Sequence, residues 1–129
     1  MKYLSLILIL FNLISCSKSD DQIVNEEALV GKWIEISKRA DTIYFHEIDK
    51  DPFFILSRGK ELIDGNYIPK AKSGIYSYKI TPNQIEIYWL ASSSTQKNRY
   101  YFSHLQDKIV IQNFFDSKLP DKLTFERMK

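Results

Sequence analysis

Residues 74–113 read G-I-Y-S-Y-K-I, T-P-N, Q-I-E-I-Y-W-L, A-S-S-S-T-Q-K-N, R-Y-Y-F-S-H-L, Q-D and K-I-V-I-Q-N. Four of these pieces are rich in Ile, Tyr, Phe and Trp and alternate with a period of two, which puts one face of a pleated strand against a core and the other outward. The links T-P-N and Q-D are far too short for a crossover, so the strands they join must be antiparallel neighbours. Such a stretch commits the chain to an all-β fold. Further strands are expected over 32–38, 42–48, 53–57 and 122–127, giving eight. Segment 53–57 (F-F-I-L-S) is apolar at consecutive positions, so it should be covered on both faces. Residues 58–73 read as one long basic loop with room for a short strand around Leu62 and Ile63. Ahead of the first strand, Asn25 followed by Glu26, Glu27, Ala28 and Leu29 has a capping residue and first-turn acids, and predicts a single helical turn. With 129 residues, 44% hydrophobic and 14% aromatic, there is enough apolar surface for one domain with one core.

Eight strands in sequence order form a meander that can close into an up-and-down barrel, in which connections alternate between the two ends. The links at 49–52, 82–83 and 106–107 are tight, whereas those at 58–73, 91–98 and 115–121 are long. Short links therefore gather at a closed base and long ones around an open mouth. The link at 39–41 is the exception, because it belongs to the mouth and is short.

Met1-Lys2 precede a compact apolar run from Tyr3 to Ile14, the pattern of a secretory signal and shorter than the roughly 20 residues a membrane-spanning helix needs. Leu13-Ile14-Ser15-Cys16 resembles the bacterial lipobox, and Cys16 is the single cysteine of the chain. The resemblance implies cleavage before Cys16 and lipidation of that cysteine, palmitate among the acyl groups. Each buried lipid methylene contributes ~0.8 kcal/mol, so several chains hold a protein firmly on a membrane. With one cysteine there is no internal disulfide and no C-x-x-C motif. Ser17-Lys18-Ser19-Asp20-Asp21 resembles the surface-export signal of Bacteroidota-type lipoproteins, with Ser19 interrupting the lysine–acid adjacency. The expected organisation is a signal peptide over 1–15, a lipidated cysteine and tether over 16–28, and a barrel over 29–129. The expected address is the outer membrane, with the cell surface and the periplasmic side both open.

Leu29-Val30-Gly31-Lys32-Trp33 resembles the G-x-W opening of the first strand in lipocalin-like barrels, including the helical turn before it. In lipocalins a basic residue at the end of the last strand packs across that tryptophan, and Arg127, in Leu123-Thr124-Phe125-Glu126-Arg127, is the matching position. The chain is similar in particular to small lipocalin-like lipoproteins of the Bacteroidota type. The resemblance implies that Trp33 and Arg127 meet at the closed base as a structural pair. The short 39–41 link departs from it, since in lipocalins that link is the long lid.

Reactive chemistry is sparse. The histidines, His46 and His104, sit among aromatics, and zinc would need further ligands that the chain does not space for it. Asp20-Asp21 and Asp49-x-Asp51 do not continue into a calcium-binding loop. Ser92-Ser93-Ser94 has no neighbouring base, and Glu26-Glu27 read as first-turn acids rather than a catalytic pair. The four glycines form no phosphate-binding loop, and a net charge of +2, with acids interspersed, does not suit a nucleic-acid binder. No enzymatic activity and no cofactor or metal is expected. The partners expected are the membrane, through the lipid, and either a small apolar or amphipathic ligand or a protein. A barrel of this size can be filled by side chains or hold one small ligand. Inward-pointing tyrosines favour an amphipathic pocket, and Tyr76, Tyr78, Trp89 and Tyr101 are the ligand-binding candidates. The alternative is an accessory or inhibitor-like module with a filled barrel. It would present its long loops to a partner, with basic Arg58, Lys60, Lys70 and Lys72 in one and a projecting Phe114-Phe115 anchor in another.

Overall fold

The structure, a computed structural model, describes residues 24–37, 39–46, 51–115 and 121–129. The expected signal segment, Cys16, the Lys18–Asp21 signal and Asp49 lie outside these residues. Among the described residues no helix is long and apolar enough to cross a membrane.

A 3-10 turn, η1 (Glu26–Leu29), opens the described chain, with the Glu27 amide donating to the Asn25 side chain at 3.0 Å as a helix cap. Ten strands follow: β1 (Gly31–Glu35), β2 (Thr42–Phe45), β3 (Phe53–Ser57), β4 (Lys60–Ile63), β5 (Asn66–Pro69), β6 (Gly74–Thr81), β7 (Gln84–Trp89), β8 (Asn98–Leu105), β9 (Lys108–Gln112) and β10 (Lys122–Arg127). Eight of them form a closed antiparallel barrel in the order β1-β10-β9-β8-β7-β6-β3-β2. The expected eight-stranded up-and-down barrel is therefore the fold, closed where Trp33 faces Arg127 across the first and last strands.

Alternation sets what is inside. Ile43 and Phe45 on β2, Phe54 and Leu56 on β3, Ile85 and Ile87 on β7, Ile109 and Ile111 on β9, and Leu123 and Phe125 on β10 are all buried, with the residues between them facing outward. Each such side chain contributes about 1.5–3 kcal/mol when fully buried. Leu29 and Trp33 complete the core from below, and Phe114 from the loop after β9 joins it.

Three expectations need correction. Segment 58–73 is not an open loop, because β4 and β5 pair with each other as a separate two-stranded ribbon. Its turn is Asp64-Gly65, with φ of 49° and 78°, the left-handed pair that a tight two-residue hairpin requires. Since the ribbon adds two strands outside the barrel, the alternation of short and long links survives. Secondly, β3 is covered on one face only. Ile55 is exposed, because the β4–β5 ribbon leaves the wall instead of folding over it. Through the ladder Ile55 lies between Tyr44 and Ile75, and Ile75 is bonded on to Leu90; all four are exposed and form an apolar row across the outer wall. Thirdly, β1 stops at Glu35 rather than running to 38. The Glu35 carboxylate accepts hydrogen bonds from the amides of Ser37 (2.6 Å), Arg39 (2.5 Å) and Ala40 (3.1 Å), and this curls the chain out of the strand.

Candidate functional site at the mouth

The two ends of the barrel are built differently. At the base the Arg127 guanidinium lies 4.3 Å from the Trp33 ring centroid. It also donates to the carbonyls of Val30 (2.7 Å) and Ala28, and its Nε lies 3.4 Å from Asp107 in the β8–β9 turn. The Trp33 indole N–H donates to the Leu29 carbonyl at 2.7 Å, and His104 meets the same ring edge-on at 5.6 Å. A Cβ at Gly31 would sit 3.0 Å from Arg127 Nη1, so the small residue gives the arginine its path. Arg127 and Trp33 thus lock the turn, the first strand and the last strand together, in the geometry expected from sequence.

At the mouth, Tyr76 of β6 and Trp89 of β7 are direct cross-strand partners, their rings stacked at 6.2 Å and 20°. A Cβ on Gly74 would come within 2.7 Å of Trp89 Nε1, so the indole occupies space that only glycine leaves free. The Tyr76 hydroxyl donates to the Lys72 carbonyl at 2.7 Å. Burial, and secondarily Tyr100, pushes its pKa up to about 12.

Of the four candidates, the structure brings Tyr76 and Trp89 together and separates the other two. Tyr78 is deeper on the same face, 3% exposed, and packs on Phe45 (5.2 Å) and Phe54 (5.9 Å) as part of the core. Burial, then the charge of Glu26, raises its pKa to about 12. Tyr101 points outward and is 45% exposed. The phase of β8 is set by buried Phe102, paired with buried Ile111, so the inward tyrosine is Tyr100. Burial raises the pKa of Tyr100 as well.

The expectation that Phe114-Phe115 projects outward is also overturned. Asn113 and Phe115 both have left-handed backbones (φ 55° and 54°), and Asn113 is clamped across its loop to Asp121 by bonds of 2.7 Å and 2.9 Å. This turns Phe114 inward, 1% exposed, and lays Phe115 on Tyr76 (5.3 Å) and Tyr100 (5.6 Å). Four aromatic rings therefore close the mouth over the filled interior, and nothing in the sequence besides their apolarity announced that closure.

A charged cluster flanks the plug. Asp41 is buried, with Arg39 at 3.1 Å and Arg58 at 3.5 Å, and burial raises its pKa despite both arginines. These contacts tie the β1–β2 link to the root of the β4–β5 ribbon, where Arg58 also donates to the Ala71 carbonyl (3.1 Å). Among the described residues there is no group of three or more side chains able to hold a metal ion. His46 stacks on Phe53 at 4.5 Å, and His104 belongs to the base.

Above the plug, a cleft of roughly 200 Å³ remains, bounded by Tyr76, Trp89 and Phe115 on its apolar side and by Lys72 and the β7–β8 link on its polar side. Comparison of the chain with protein-family models, curated proteins and solved structures finds no match in any of the three.

Proposed function

We propose that the protein is a lipid-anchored, lipocalin-like lipoprotein of the outer membrane that binds a small amphipathic ligand at its mouth rather than inside its barrel. The observation that carries the reading is the cleft, where Tyr76, Trp89 and Phe115 offer apolar surface beside a polar rim. Pockets that fix small molecules combine apolar walls with a few placed polar groups in this way. The lipobox-like Cys16 supplies the anchor. The stretch from Cys16 to Val24 spans at most roughly 30 Å when fully extended, and η1 sits at the base beside Arg127. The anchored end is therefore the base, and the mouth faces away from the bilayer toward the surrounding medium.

Native mass spectrometry of the protein extracted from host membranes tests both halves. The expected result is a chain beginning at an acylated Cys16, carrying a small-molecule adduct that Trp89→Ala loses. A chain still beginning at Met1, or an adduct indifferent to Trp89→Ala, would overturn it.

The outer wall favours a second reading, docking of a protein partner. Leu62 and Tyr67, cross-strand neighbours on the β4–β5 ribbon, are 59% and 73% exposed, and Tyr44, Ile55, Ile75 and Leu90 form a separate exposed row on the barrel wall.

A further inference from the structure

We infer that the mouth cleft takes a saccharide ring, stacked against the Trp89 indole and hydrogen-bonded by the β7–β8 link. This rests on the proposal that the mouth is a ligand site and adds the chemical class of the ligand.

Three features point the same way. Trp89 is held in place, with Tyr76 stacked beside it and Gly74 vacating its seat, yet it is 36% exposed and borders the cleft. A fixed, partly open indole suits the flat C–H face of a pyranose, which needs an apolar platform but has no apolar chain to bury. The polar rim is built by alternation. Ser92, Ser94, Gln96 and Asn98, each two residues from the next, all line the cleft. Ser92 Oγ accepts from the Ser94 amide at 3.0 Å, and Ser94 Oγ accepts from the Gln96 amide at 3.1 Å. These bonds orient both side chains while leaving their hydroxyl protons free to donate. Two hydroxyls and two amides form a neutral fringe of mixed donors and acceptors, the complement of a ring of neutral hydroxyls.

Charge and size favour a saccharide over the other ligand classes. Among the described residues, Lys72 is the one charged side chain lining the cleft. On the outer side of the same link, Lys97 is tied to Glu86 at 3.0 Å. A phosphorylated ligand would call for several cations converging on it. A fatty chain would need a deep apolar channel, but Tyr78, Phe54, Phe45 and Phe114 occupy the space below the plug. At roughly 200 Å³ the cleft is smaller than a drug-sized pocket of about 300–1,000 Å³, which matches one ring at a time. A second furrow of roughly 390 Å³ runs past Trp89 on the outer side and shares Ser92 and Ser94 with the cleft, giving a neighbouring ring a place to lie.

The two tryptophans make the test direct. In the intact, nitrogen-15-labelled protein each indole N–H gives one signal. Trp33, bonded to Leu29 in the base, reports the fold, and Trp89 reports the mouth. The probes are the methyl glycosides of glucose, galactose, mannose and N-acetylglucosamine, titrated into the millimolar range, with laurate and adenosine as non-saccharide probes. The expected result is a saturable shift of the Trp89 signal with at least one glycoside while Trp33 stays still. Gln96→Ala should weaken that binding roughly three- to tenfold, with the Trp33 signal unchanged as proof of folding. A Trp89 signal moved by laurate or adenosine but by no glycoside overturns the saccharide assignment and leaves the mouth as a ligand site. A signal that no probe moves overturns the assignment as well, and the mass-spectrometric adduct then decides separately whether the mouth binds anything.

Discussion

Tyr76 and Tyr78 stand two residues apart on one face of β6, and they differ in what their hydroxyls meet. The Tyr76 hydroxyl donates to Lys72, whereas the Tyr78 hydroxyl is buried and makes no hydrogen bond to the described residues. A buried polar atom without a partner costs about 1–3 kcal/mol, and a made hydrogen bond contributes about 0.5–1.5 kcal/mol. Tyr78→Phe should therefore leave stability unchanged or raise it by about 1 kcal/mol, and Tyr76→Phe should lower it by about 1 kcal/mol, both read by urea unfolding. The same pair makes the fold alkali-sensitive. Their folded pKa values, about 12, lie above the unfolded value of 10.0, so the unfolded chain gives up these protons first. Stability is thus intact below pH 10.0 and declines as pH rises toward about 12, by roughly 2–3 kcal/mol for each tyrosine. In Tyr78→Phe about half of that decline should disappear. An alkaline limb identical to wild type would place the sensitivity elsewhere.

At the scale of elements, the β4–β5 ribbon stands out because every one of its residues is exposed. A lone two-stranded hairpin is marginal in water. This one is held at its root, where the Lys70 amide donates to the Gly59 carbonyl (3.0 Å) and Arg58 donates to Ala71. Joining 59 directly to 70 should change unfolding free energy by no more than about 0.5 kcal/mol, the range of ordinary surface changes. If the ribbon serves a protein partner, cross-linking in host cells should recover that partner with wild type and not with the shortened chain; equal recovery would remove the second reading. How legible each element was in the sequence follows from how its structure is specified. The strands over 74–113 were plain because their period is strict and two of their three links are short. A short strand around Leu62 and Ile63 was foreseen, but its partner β5 and the ribbon they form were missed because K-E-L-I and N-Y-I-P do not alternate, although Asp64-Gly65 between them is a strong hairpin signal. In β8, adjacent Tyr100 and Tyr101 look alike, and only the pairing of Phe102 with Ile111 chooses which turns inward. The plug was illegible because Asn113 and Phe115 adopt left-handed backbones without a glycine to mark the bend.

For the whole molecule, the joint between β1 and β10 decides whether there is a barrel. Arg127 contributes a cation–π contact of about 0.5–2 kcal/mol and charged hydrogen bonds of about 1.5–3 kcal/mol each, so Arg127→Ala should cost roughly 2–4 kcal/mol once water satisfies part of what it leaves. Arg127→Lys should recover only a minority, since an ammonium cannot reach Val30 and Ala28 while lying over the indole. An unchanged unfolding midpoint in Arg127→Ala would mean the latch is ornamental. The joint also imposes an order of events on biogenesis. Because β1 pairs with β2 on one edge and with β10 on the other, a polypeptide emerging N-terminus first can fill only one edge of its opening strand until β10 has been delivered. Contacts this distant along the chain form slowly. A threading machine that accepts only unfolded polypeptide would therefore meet a substrate whose own topology postpones closure of the cylinder.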